Sequence, residues 1–293
     1  MKTQNSAFAR VGKGHFGTWA SVIAFALLSG CAHRSVLSIN GSLGCGSEVQ
    51  RVRLEMDNGS VGVLAIEDGA PATQITYVGG LRRDATTPEG LVSLEGVANE
   101  LTATLDPDEP GTLVIRCPRA PAGVQGMIAY EGSISIPSTM PLQVVVKHNG
   151  HVTLMDREAP SKVVTRRGDL RFERCRGSIE ANTGQGMLIA FEHEGDIDVR
   201  TGLGDMQVFV TKPGDQIVLS TGKGTVQCHV PEGINCEVDA RAEIGKIGSD
   251  FGFEVRKIGE YSAAMTGKLG TAETRVLLRT GSGHISLIET KSS

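Results

Sequence analysis

The residues of this chain that could do chemistry are few and poorly grouped. Seven histidines occur among 293 residues. His148 and His151 flank the Asn149-Gly150 turn, where two imidazoles at a strand end could begin a metal site. Two further ligands would be needed, and no neighbouring residue supplies them. His193, set between Glu192 and Glu194, reads as a solvated charged turn. Ser282 and His284 lie close in Gly281-Ser282-Gly283-His284, yet a nucleophile and its base are assembled by the fold rather than by adjacency. No Gly-x-Ser-x-Gly elbow is present. Asp169, Asp196 and Asp205 are the natural candidates for the paired acids of a glycosidase. Each, however, directly follows a glycine, where Asp serves the backbone of a turn. No catalytic residue, metal or cofactor is assigned, and an enzyme is not expected.

One cysteine stands apart. Lys2, Arg10 and Lys13 give the chain a positive start without an acidic residue, and an apolar run follows from Phe16 to Leu28. At about 13 residues that run is too short to span a bilayer comfortably and fits a secretory signal. Its end, Leu28-Ser29-Gly30-Cys31, resembles the lipobox of bacterial lipoproteins. The resemblance implies that Cys31 is acylated and that the chain is cut before it, leaving a mature protein held on a membrane by two or three acyl chains. Ala32 stands where an Asp would imply retention at the inner membrane, so the outer membrane is expected in a Gram-negative host. Removal of residues 1–30 takes Lys plus Arg from 29 to 26 against 33 acidic residues, and the net charge from −4 to −7. Such a surface gives no sign of nucleic-acid binding.

The elements that would position any site are strands. In Arg51-Val52-Arg53-Leu54-Glu55-Met56 the apolar residues share one face and the charged ones the other, the signature of a half-buried strand. Glycine is abundant, 38 of 293 residues, and from the middle onward it is periodic. Gly168-Asp169-Leu170, Gly177-Ser178-Ile179, Gly186-Met187-Leu188, Gly195-Asp196-Ile197 and Gly204-Asp205-Met206 follow one another at nine-residue steps. A strand plus a glycine turn fills such a unit, and units that cannot bury a face alone must stack. The pattern predicts an all-β chain, a single-domain parallel β-solenoid of about 18 to 20 residues per coil. An antiparallel sandwich is the rival. A calcium β-roll is disfavoured, because Ser178 and Met187 interrupt the aspartates and no Gly-Gly-x-Gly occurs. The expected organisation is a signal over 1–30, a lipidated tether over 31–47 and the β domain over 48–289. Its first part, 48–129, is irregular, with an excursion around Pro88, Pro107 and Pro110, and the repeats over 130–289 are regular.

Ile134-Ser135-Ile136-Pro137, Pro141 to Val146, Asn149-Gly150-His151-Val152, the Gly-Asp-Ile repeats and Thr280 to Ile285 together resemble the bacterial "putative adhesin" domain family of unknown function. The resemblance implies a β-solenoid at the cell envelope and brings no site residues with it. The reading is a non-catalytic, lipid-anchored module that binds an envelope protein or glycan. A polysaccharide-active enzyme on a β-helix, or a purely structural component, are the alternatives. With aromatics at 4%, sugar-stacking platforms are scarce.

Two placements follow from the period. Phe191 and Phe209 are 18 residues apart and should stack on adjacent coils, forming with Met187 and Ile189 an interaction patch if they face outward, or core if they are covered. Five cysteines remain after Cys31: Cys45, Cys117, Cys175, Cys228 and Cys236. Cys228 and Cys236 would form a disulfide if the chain reverses at Pro231-Glu232-Gly233, with Cys45–Cys117 a weaker second pair. At a solenoid corner they would instead be buried thiols.

Overall fold

The computed structural model describes residues 33–66 and 74–291; the expected signal, 1–30, and Cys31 lie outside them. The described chain is all-β with one short helix. Its N-terminal part contains β1 (His33–Gly44), β2 (Arg51–Ile66), β3 (Gln74–Ala85), α1 (Pro88–Glu95), β4 (Thr102–Leu105), β5 (Thr112–Arg116) and β6 (Gly126–Pro137). The middle contains β7 (Leu142–Asn149), β8 (Val152–Met155), β9 (Ser161–Arg167), β10 (Leu170–Glu173), β11 (Ile179–Gln185), β12 (Leu188–Leu203), β13 (Met206–Lys223) and β14 (Val226–Pro231). The last part contains β15 (Cys236–Ile244), β16 (Ile247–Ser249), β17 (Val255–Lys257), β18 (Ala263–Leu269), β19 (Thr274–Ser282) and β20 (Ile285–Thr290).

All twenty strands join one mixed sheet. Its parallel pairings form two ladders. In the first, β5, the start of β2, β7, β9, β11, the ends of β12 and β13, β19 and β15 are neighbours in that order. In the second, β6, the end of β2, β8, β10, the starts of β12 and β13, β14, β20 and β16 follow one another. Period-two alternation sends one side of each ladder into a common core. Leu54, Val144, Val163, Ala181, Val199, Leu219, Leu278 and Ala240 form one fully buried row. Val63, Leu154, Phe172, Ala190, Val208, Cys228 and Leu287 form another. Phe172 lies beside Ala190 in that row, large against small, which lets successive strands keep their spacing.

The corner between the ladders explains the glycine period. Gly168, Gly186, Gly204, Gly224, Gly283 and Gly245 form a column with φ between +143° and +153°. Inward-facing threonines close the same corner. The hydroxyls of Thr183, Thr201, Thr221 and Thr280 donate to the carbonyls of Gly168, Gly186, Gly204 and Gly224 at 3.2, 3.4, 3.0 and 2.9 Å.

Several expectations are corrected. The sheet is not uniformly parallel: β1 pairs β3 and β3 pairs β6 antiparallel at one end, and β18 pairs β15 and β17 antiparallel at the other. Nor does it stack in chain order. β2 lies between the strands of β5–β6 and those of β7–β8, and β19–β20 lie between β13–β14 and β15–β16. The span taken as a tether, 31–47, is strand from His33 to Gly44. His193 is fully buried rather than solvated, because Glu192 at φ +51° and a register shift between Ala190 and His193 break the alternation and turn the imidazole inward. The chain makes no reversal at Pro231-Glu232-Gly233: β14 pairs β13 and β20, whereas β15 pairs β18 and β19. Cys228 and Cys236 are accordingly free buried thiols, as are Cys45, Cys117 and Cys175.

Burial also raises every one of these thiols, Cys117 and Cys228 to about 12 and Cys236 to about 11, so none is a poised thiolate. Alkylation of the folded protein without reductant should modify none of the five, and unfolding should expose all five. Recovery of Cys228 and Cys236 as one linked peptide would reinstate the bridge.

Candidate functional site

The outward side of the second ladder carries an unusual row. Arg171, Ile189, Gln207 and Gln227 are register partners on successive strands, and Glu173 and Phe191 are partners one pleat further on. Phe209 and His229 continue that second column. The rings stack: Phe191 and Phe209 have centroids 5.2 Å apart with planes inclined 20°, and Phe209 and His229 are 4.0 Å apart at 16°. The Arg171 guanidinium carbon lies 5.2 Å from the Phe191 centroid, a cation over a ring face. Beside the stack, the Gln207 amide donates to the Gln227 side-chain oxygen at 3.2 Å. Met187 is exposed, while Ile189, Phe191, Phe209 and His229 are each half-buried.

The structure stacks Phe191 on Phe209 with Ile189 in the adjoining column, and two residues absent from the sequence reading, Arg171 and His229, stand at the ends. Burial lowers the His229 imidazole, and its Nε2 has no partner, so the stack ends in a neutral ring at neutral pH. The ring planes are turned toward one another. Their faces are therefore occupied by Arg171 and by each other, and their edges, with Ile189 and Met187, are what a partner meets. A shallow depression of about 290 Å³ lies at the Arg171 end, between Glu173, Arg174, Phe191 and Glu192.

The other flank is different in character. A groove of about 530 Å³ crosses the first ladder, lined by Arg51, Arg53, Lys162, Glu180, Asp196 and Asp198 among others, with no aromatic side chain. Its acids are engaged. Glu180 pairs with Lys162 at 2.6 Å, Asp198 with Arg200 at 3.0 Å, and Asp196 accepts from the Gln216 amide at 3.0 Å. Asp169 and Asp205 likewise accept from the amides of Met187 and Thr225, at 2.8 and 2.7 Å. His151 and His284 accept through Nδ1 from the amides of Asp169 and Lys246, each at 3.1 Å. Asp169, Asp196, Asp205, His151 and His284 thus hold adjacent strands in register. Among the described residues no group of three His, Cys, Asp or Glu side chains could hold a metal ion.

No family model matches this chain, and no curated protein matches it. Among solved structures, a "putative cell adhesion protein" from Clostridium sporogenes aligns at 11% identity and a TM-score of 0.37, covering 86% of this chain and all of its own. A "putative adhesin" from Bacteroides fragilis aligns at 11% identity and a TM-score of 0.36, covering 86% of this chain and 97% of its own. Superpositions this loose transfer neither site residues nor a role.

Proposed function

We propose that this chain is a non-catalytic envelope protein, anchored through lipid on Cys31, whose two ladders are flanks of one solenoid that presents the Ile189, Phe191 and Phe209 row to a protein partner. The observation that carries the reading is the outward, half-buried aromatic row itself. Core rings on a covered sheet would be buried, and a flank that meets only water is ordinarily polar, as the charged groove on the opposite ladder is. Among protein and glycan partners, a protein surface fits better. Sugar recognition by aromatics uses an open ring face, and these faces are occupied. Ring edges, aliphatic Ile189 and exposed Met187 offer the apolar contact that another protein's aliphatic and aromatic side chains would fill. Acids held by cations or amides in the charged groove support a non-catalytic reading.

A photo-crosslinker placed at Met187, 45% exposed, tests this in intact envelopes. A discrete protein adduct is expected, and Phe191→Ser combined with Phe209→Ser should reduce it about tenfold, the loss of roughly 1.4 kcal/mol of contact. The same double variant should lose about 3–4 kcal/mol, two half-buried rings plus their stacking, so the yields are compared where circular dichroism shows both proteins folded. An adduct of equal yield from both proteins, or none from either, would sink the proposal.

A further inference from the structure

We infer that the N-terminal end of the stack is the surface that rests on the bilayer, with the corner made by His33, Ala85, Gly126 and helix α1 against the lipid headgroups. The inference rests on the acylation of Cys31 proposed above. Only Ala32 separates Cys31 from His33, the first residue of β1. At no more than about 3.6 Å per residue, the acylated cysteine must lie within roughly 7 Å of His33. A long linker would let the domain tumble above the membrane; a connection this short does not.

The corner is rigid. β1 pairs with β3 along its whole twelve-residue length, His33 opposite Ala85, and β3 pairs with β6, Ala85 opposite Gly126. Helix α1 leaves the same corner. The Thr87 hydroxyl caps it by accepting from the Gly90 amide at 3.0 Å, Leu94 is buried beneath it, and Arg83 Nε donates to the Leu94 carbonyl at 3.0 Å. Val92 on its outer side is 67% exposed. Charge around the corner is largely cancelled internally: Arg34 and Arg82 both pair with Asp84, and Arg82 also with Glu131. Glu89 and Glu95 on α1 disfavour an anionic surface, so the fitting occupant is a zwitterionic leaflet approached through the acyl chains.

Eight strand steps separate β6 from β16 in the second ladder, which at about 4.8 Å each places the far end roughly 40 Å away. Ile258, 64% exposed, lies beyond β16, in the turn between β17 and β18. The aromatic row, midway along the stack, is then held clear of the lipid.

The test uses the full acylated protein in phosphatidylcholine vesicles that carry a headgroup nitroxide quencher. A fluorophore is attached at Val92→Cys, or at Ser93→Cys should the first variant fold poorly, and in a separate protein at Ile258→Cys. The five native thiols of the described domain are buried, so the introduced one is the reactive site in the folded protein. Quenching at 92 or 93 should exceed that at 258 severalfold, and Cys31→Ala should abolish vesicle binding. Equal quenching at both ends, or stronger quenching at 258, overturns the orientation when mass spectrometry shows acyl groups on Cys31. Absence of acyl groups overturns the anchoring and the orientation together.

Discussion

Gly204→Ala should destabilise the protein by about 3 kcal/mol or more, a large effect for a single added methyl group. Two independent penalties combine. At φ +148° the residue occupies a region that L side chains rarely adopt. A Cβ there would also lie 1.9 Å from the Gly186 carbonyl oxygen and 2.6 Å from its carbon, both backbone atoms of the neighbouring strand. Neither side can yield locally. The Gly204 amide donates to the Lys223 carbonyl at 2.9 Å, its carbonyl accepts from Thr221 at 3.0 Å, and Gly186 is held by Thr201 in the same way. Relief therefore requires moving several strands at once. Gly248→Ala is the control, because its φ is ordinary and nothing lies within 4 Å of its Cβ position; it should change stability by less than about 1 kcal/mol. Urea unfolding of the two variants decides the matter. Equal midpoints would mean that the corner column is loose and that the glycine period has another cause.

That column is also where the sequence was most legible. A glycine that must be glycine leaves a fixed mark, and its spacing predicts the stacking of Phe191 on Phe209 that the fold shows. The next ring is not marked because the step lengthens: partners in the second ladder stand 18 residues apart at Leu188–Met206 and 20 at Met206–Val226. Following that longer step from Phe209 leads to His229. Strand order was illegible for a different reason. Periodicity tells which side of a strand is buried, but one parallel edge pairs as well as another, so nothing in β19–β20 announces that it enters ahead of β15–β16. The burial of His193 is illegible because it depends on a bulge: Glu192 at φ +51° shifts the register after Ala190, and no residue type there announces the break in alternation. Arg157 gave no signal at all, since one arginine in a charged loop looks like any other.

Arg157→Met should cost about 3–5 kcal/mol, because three main-chain carbonyls each lose a charged donor worth about 1.5–3 kcal/mol while the desolvation cost of the guanidinium is recovered. Arg157 is 1% exposed and heads the fully buried side chains by size. Its guanidinium donates to the carbonyls of Ile136 at 3.1 Å, Pro137 at 2.7 Å and Met140, fastening the turn between β6 and β7 onto the stack. Burial lowers the group to about 10, so it remains charged at neutral pH and carries a desolvation cost in the folded state. Replacing a buried ion pair by apolar residues is often harmless, but only when both partners are replaced. Here the partners are main-chain carbonyls that no substitution removes, and methionine would fill the volume while taking the charged donor from all three, Pro137 keeping only the Met140 amide at 3.1 Å. Arg157→Lys should recover part of the loss, because an ammonium reaches one or two of the three oxygens but lacks the planar fork. Denaturant unfolding gives the global cost, and limited proteolysis at Ser138–Met140 separates it from local release of the turn. Should Arg157→Met unfold within 1 kcal/mol of the wild type with the turn still protected, the carbonyls must be satisfied without the guanidinium, and the role assigned to Arg157 falls.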